Sequence, residues 1–192
     1  MASRTSGNSR SNHLASFALV AALLGVLTVP VAVALSRQTG RVHLLDAAWS
    51  IFEGKAEARG IVMVRRYGAV PDILGSASEM QQVFLNLISN AIDAMPKGGQ
   101  LTLVVEPAMS TEAPGAWVRV GDTGAGLAPE ARSRLFEPFF TTKTDVGTGL
   151  GLWIVQQIVT EHRGRIEAGS EAASGGGAVF SIFLPAAEAL AA

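Results

Sequence analysis

The sequence predicts an α+β domain, a two-layer sandwich in which one mixed sheet carries its helices mainly on one face. Two observations carry this. From Arg41 onward the apolar residues switch between helical and strand periods in the order α-β-α-β-β-α-α-β-β. The best-defined helix, Ala77 to about Met95, places Met80, Val83, Phe84, Leu87, Ile88, Ala91 and Met95 at three- and four-residue steps, which makes an apolar face wide enough to cover a sheet.

Taken in order, residues 42–59 form a first helix with Leu44, Leu45, Ala48, Trp49 and Phe52 on one stripe, and Gly60 stops it. Ile61 to Tyr67 is short and β-branched, a strand, and Gly68 to Pro71 turns the chain. The Ala77 helix carries a second stripe of Gln82, Asn86, Ser89, Asn90 and Asp93, and Pro96 with Gly98-Gly99 ends it. Leu101 to Val105 and Trp117 to Val120 read as strands joined by a polar, proline-containing loop. Pro129 to about Leu135 is a short helix with proline in its first turn. Leu150 to His162 is a helix stopped by Gly164, and strands at Arg165 to Ala168 and Ala178 to Leu184 complete the set.

The 192 residues allow one such domain, placed at 41–186, with tails at 187–192 and 1–13 and a linker at 36–40. A net charge of -1, without a block of like charge, argues against a nucleic-acid partner. The absence of cysteine excludes a disulfide framework and thiolate metal sites. Leu14 to Leu35 is uncharged and apolar on every side, long enough to cross a bilayer that needs about 20 such residues. A transmembrane anchor is the expectation. A cleaved signal peptide ending near Ala32-Val33-Ala34 and a start-site or gene-fragment artefact are the alternatives. Arginines flank the segment on both sides, so charge does not set its orientation.

Four clusters in the domain have the residue types that phosphate and metal chemistry uses. Asn86 and Asn90 lie one turn apart; their amide oxygens are either solvent-facing or able to converge on a hard cation such as Mg²⁺, which takes oxygen ligands and shares them with phosphates. Asp122 is the second residue of GDTGAG, residues 121–126, either a plain turn or a carboxylate that accepts from a ligand amine while the glycines admit a flat ring. FEPFFTTK, residues 136–143, offers aromatic packing followed by Thr141, Thr142 and Lys143. GTGLGL, residues 147–152, leads into a helix, so that its backbone N–H groups can hold phosphate. It is neither a P-loop nor a dinucleotide fingerprint, because no Lys-Ser/Thr pair follows and Leu152 stands at the third glycine position.

In this order the clusters resemble the ATP-binding catalytic domain of sensor histidine kinases, within the Bergerat-fold superfamily that also includes gyrase, MutL and the ninety-kilodalton heat-shock chaperones. NLISNA is similar to the N box, DTGAG to the G1 box, FEPFF to the F box and GTGLGL to the G2 box. The resemblance implies Mg·ATP as ligand, with Asn90 on the Mg²⁺ and Asn86 supporting it, and makes both catalytic and metal-binding. It implies Asp122 on the adenine amine, the Gly124 to Gly126 turn under the base, and Gly147, Thr148, Gly149, Leu150 and Gly151 around the phosphates. Asp93, Thr142 and Lys143 are further nucleotide contacts on this reading, and residues 136–148 are a short ATP lid. One departure concerns the threonine that often follows the last glycine before the final strand; here Gly177 precedes Ala178.

Three function classes follow: a histidine kinase catalytic domain, a Bergerat ATP hydrolase or anti-sigma serine kinase, and a nucleotide-binding module without activity. In the hydrolytic and serine-kinase members the residue one turn before the Mg²⁺ asparagine is a glutamate base; Asn86 accepts no proton at neutral pH, whereas a neutral imidazole needs no such base. The expectation is phosphoryl transfer to histidine. None of His13, His43 and His162 sits in a phosphoacceptor box, so the acceptor belongs to a histidine-containing dimerisation hairpin elsewhere, and the onward partner is a response regulator. Because ATP is cytoplasmic, the expected location is the inner membrane, single-pass, with the domain in the cytoplasm.

Overall fold

The computed structural model describes residues 32–33, 43–109, 114–142, 148–170 and 176–187. A two-residue strand, β1 (Ala32–Val33), comes first. Helix α1 (His43–Ala58) buries Leu45, Ala48, Trp49 and Ala56, and Gly60, at φ 69°, ends it by donating its N–H to the Glu57 carbonyl. β2 (Ile61–Tyr67) follows, then the two-residue β3 (Ile73–Leu74) and α2 (Ala77–Ala94). The Ser76 side chain caps α2 by accepting the Glu79 N–H at 3.4 Å, and Met80, Val83, Phe84, Leu87, Ile88, Ala91 and Ile92 are buried along it. The remainder is β4 (Gly99–Met109), β5 (Pro114–Asp122), α3 (Pro129–Arg132), α4 (Gly151–Glu161), β6 (Arg165–Ser170) and β7 (Ala178–Pro185).

Five of these strands form one sheet in the order β2-β4-β5-β7-β6. The β2–β4 pair is parallel, from Ile61 opposite Gly99 to Tyr67 opposite Val105, and the other three pairs are antiparallel. Alternate residues divide it into two faces. Leu101, Leu103, Val105, Val118, Val120, Phe180 and Ile182 point into the core beneath α1, α2 and α4. On the other face Trp117 meets Phe183 edge-on, with ring centroids 5.6 Å apart, and the Arg165 guanidinium covers both rings at 4.9 and 4.7 Å. At the sheet edge Asp46 of α1 takes Arg65 at 3.2 Å and the Tyr67 hydroxyl at 3.3 Å; burial, reinforced by the Asp46 charge, pushes the Tyr67 phenol well above its ordinary range.

The architecture is the mixed-sheet α+β sandwich expected, with three differences. β4 and β5 run further than Leu101–Val105 and Trp117–Val120, through Pro107 opposite Ala116 to Met109 opposite Pro114. Pro107 is admissible there because β2 has ended two residues earlier, so the side on which its N–H is missing faces no strand. The helix expected from Pro129 to Leu135 lasts only to Arg132, and three-residue turns, Arg134 N–H to Ala131 and Glu137 N–H to Arg134, carry the chain on. The proposed membrane segment, 14–35, lies outside the described residues except for β1, which is extended and pairs antiparallel with β3. Among the described residues no helix is long and apolar enough to cross a membrane.

Candidate functional site

A cavity of about 680 Å³ opens between α2, the end of β5 and the start of α4. The polar stripe of α2 lines one wall with Asn86, Ser89, Asn90 and Asp93. Because α2's apolar residues face the sheet and α1, its polar stripe is left toward a side where no strand packs against it; the amphipathic pattern therefore builds the wall.

Asp122, at the end of β5, is the one buried charged residue of the described structure, 4% exposed. Its Oδ1 accepts the Gly124 N–H at 2.8 Å and the Ala178 N–H at 3.4 Å, which compensates the cost of burying a carboxylate. The loop it heads is clamped against α2: the Ala125 N–H donates to the Ala94 carbonyl at 3.3 Å, and a Cβ on Gly124 would collide with that same oxygen. Gly177, at φ 125°, lies so close to the Asp122 backbone that any side chain would strike its carbonyl. The missing threonine after Gly177 thus costs a hydroxyl, while the backbone of Ala178 still engages Asp122.

On the opposite side, Gly149 and Gly151 line the cavity with Thr148, Thr141, Thr142 and Phe140. The Phe139 N–H donates to the Gly149 carbonyl at 3.0 Å, tying FEPFF to the glycine loop. Asn86 sits beside the first residue of α4; a Cβ on Gly151 would lie 3.5 Å from its Oδ1. Leu150 occupies the position before that first residue, with the Ile154 N–H on its carbonyl at 2.9 Å, and is not part of the lining. Lys143 and Gly147 lie outside the described residues.

The structure therefore brings Asn86, Asn90, Asp93, Asp122, Gly126, Thr142, Thr148, Gly149 and Gly151 to one cavity, with Gly124 forming the turn against it. Lys55, Leu127, Leu135 and Phe180 also line it and are not among the residues the sequence points to. The three apolar ones carry an ordinary core pattern, and Lys55 is an isolated lysine on a helix, so neither kind leaves a signal in sequence.

Residues 75–188 match the model of the histidine kinase-, DNA gyrase B- and HSP90-like ATPase family, more than half of the chain. The chain belongs to that family. Among histidine kinase-, DNA gyrase B- and HSP90-like ATPases, it is 34% identical over 145 residues to sporulation kinase C of Bacillus subtilis, covering 74% of this chain and 32% of the relative. It is 43% identical over 122 residues to the sensor histidine kinase ZraS of Salmonella typhi, 64% of this chain and 24% of the relative. The chain thus spans about a third or less of these curated relatives. The fold superimposes on the catalytic domain of histidine kinase ThkA with a TM-score of 0.64 at 31% identity, covering 76% of this chain and 92% of that one. It also superimposes on full-length ShkA in complex with AMPPNP with a TM-score of 0.63 at 30% identity, 75% of this chain and 30% of that one. The domain is the ATP-binding catalytic domain of the sensor histidine kinase type within the family.

Proposed function

We propose that the cavity binds Mg·ATP and that the domain donates the γ-phosphoryl group to a histidine on a dimerisation hairpin, supplied by another chain or by an upstream segment of the same protein. The observation that carries the transfer reading is Asn86. It lines the cavity one turn before Asn90, where a hydrolytic site needs a carboxylate base, and it offers a neutral amide instead.

In this reading Asp122 accepts from the adenine amine at the cavity floor, and the Gly124 to Gly126 turn leaves room for the ring. The amides of Thr148, Gly149 and Gly151 at the α4 N-terminus hold phosphate oxygens, an arrangement favoured by the helix dipole. Thr142 lies on that side, the family resemblance adds Lys143 and Gly147 as phosphate contacts, and Asp93 closes the rim. Asn90 and Asn86 would hold Mg²⁺. Their chemistry fits that ion: among the described residues no group of three or more His, Asp or Glu could cage a metal, and Mg²⁺ suits one or two protein oxygens with phosphates and waters supplying the rest. Bound there, the ion would supply charge neutralisation. In the transfer itself a neutral imidazole nitrogen forms the N–P bond while the bond from the γ-phosphorus to the bridging oxygen breaks, its electron pair leaving with ADP. The residues of this chain contribute positioning rather than a base.

A response regulator is the onward acceptor in this reading. Of the uncharged run 14–35, the part ahead of β1 is read as a single-pass inner-membrane anchor that holds the domain in the cytoplasm. Protection of the domain from protease added outside intact spheroplasts is the expected outcome; digestion there would refute it.

Calorimetric titration of Mg·ATP tests the site. Asn90→Asp and Asp122→Ala are each expected to weaken binding by about tenfold or more, the loss corresponding to one good charge-assisted contact. Unchanged affinity in both variants would overturn the assignment.

A further inference from the structure

Helix α1 reaches the cavity from outside the segment that matches the family, residues 75–188. Lys55, in its last turn, lines the cavity and is the one basic side chain among the described lining residues. Its Nζ donates to Asp93 Oδ1 at 2.9 Å. Arg59 Nη1 approaches the same oxygen at 3.5 Å, but that guanidinium is committed to the Ile92 carbonyl at 2.9 Å and does not line the cavity.

These contacts create an electrostatic difficulty that the ligand must meet. Asp93 stands three residues beyond Asn90 on the same polar stripe, roughly 4.5 Å further along the helix axis. A polyphosphate anchored at Asn90 would therefore approach a carboxylate, and the described wall of Asn86, Ser89 and Asn90 is neutral. Lys55 is placed to resolve this. An ammonium has three donors and a flexible four-carbon stem, so the one that holds Asp93 leaves two for oxygens of a ligand beside it.

We propose that Lys55 is a nucleotide-phosphate contact: Asp93 holds its ammonium at the cavity rim, where it shares its donors between the carboxylate and the ATP polyphosphate. Helix α1 thereby becomes part of the nucleotide site. This inference rests on the ATP reading above.

The test is titration of Mg·ATP, Mg·ADP and adenosine into the wild type and into Lys55→Met, Lys55→Arg, Asp93→Asn and the Lys55→Met/Asp93→Asn double variant. Lys55→Met is expected to lose about tenfold for ATP and ADP, and less than about twofold for adenosine. Lys55→Arg should retain most of the affinity. Asp93→Asn, which weakens the anchor of the ammonium, should lose less affinity for ATP and ADP than Lys55→Met does, and the double variant should stay as weak as Lys55→Met. Recovery of wild-type affinity in the double variant would reduce Lys55 to a screen for Asp93 and overturn the proposal. So would an equal loss for adenosine, which reports altered cavity shape, or no loss in Lys55→Met. A wild-type protein that fails to bind Mg·ATP would overturn the ATP reading itself; wild-type binding with an unaltered Lys55→Met variant overturns only the role of Lys55.

Discussion

The two sides of helix α2 are built from one sequence under opposite demands. One side, from Met80 to Ile92, is buried against the sheet and α1, and its residue types are interchangeable with other apolar groups of similar volume. The other side, Asn86, Ser89, Asn90 and Asp93, is only partly buried and forms a cavity wall, where a change of one atom alters what can be held. The first side determines whether the helix is present and where it lies; the second, on the function proposed above, determines what the domain holds. Stability and ligand affinity should therefore separate across the helix.

That separation is open to direct attack. Leu87→Ala on the buried side should cost about 2–5 kcal/mol, because Leu87 is fully buried and its removal leaves a cavity in the core; urea denaturation measures it. A loss below about 1 kcal/mol would mean that the apolar face is not the support it is taken to be. Removing the cap, by Ser76→Ala, should cost about 1 kcal/mol by the same measurement and leave Mg·ATP affinity nearly unchanged, since the Ser76 hydroxyl touches only the first turn of the helix, while its backbone N–H, which the variant keeps, donates to His162 Nε2. Asn90→Ala should move stability by about 0.5 kcal/mol or less, because the loss of amide contacts is offset by alanine's better helix propensity. The same variant should lose Mg·ATP binding by about tenfold or more in calorimetry. A large stability loss together with intact binding in Asn90→Ala would abolish the distinction between the two sides.

Both sides of α2 are legible in the sequence. The three-four spacing from Met80 to Met95 predicts the extent of the helix and the side it buries, because helical periodicity is a direct record of burial. The glycine and asparagine clusters are legible because their chemistry is poorly suited to cores and strands. The lengths of β4 and β5 are not. Glu106, Pro107 and Ala108 look like loop residues, and only the early end of β2 makes a proline acceptable beside it. The two-residue β1 and β3 carry no pattern that distinguishes them from coil. Lys55 is hidden for a different reason: its partner Asp93 lies 38 positions away, and no local rule connects them. Long-range pairing is what a single sequence encodes least, so a cluster that depends on it escapes motif reading.

The parallel pairing of β2 with β4 bears on where this domain can be cut. A chain beginning at residue 75 would retain every matched motif but lose α1 and β2. Seven positions of β4, Gly99 to Val105, would then present an unpaired edge, and the surface of α2 that packs against α1 would meet water. An open edge next to bared apolar surface is a template for intermolecular strand addition. The smallest unit that stays monodisperse therefore begins near residue 43, ahead of the first recognisable box, and shorter versions should aggregate although their nucleotide motifs are intact.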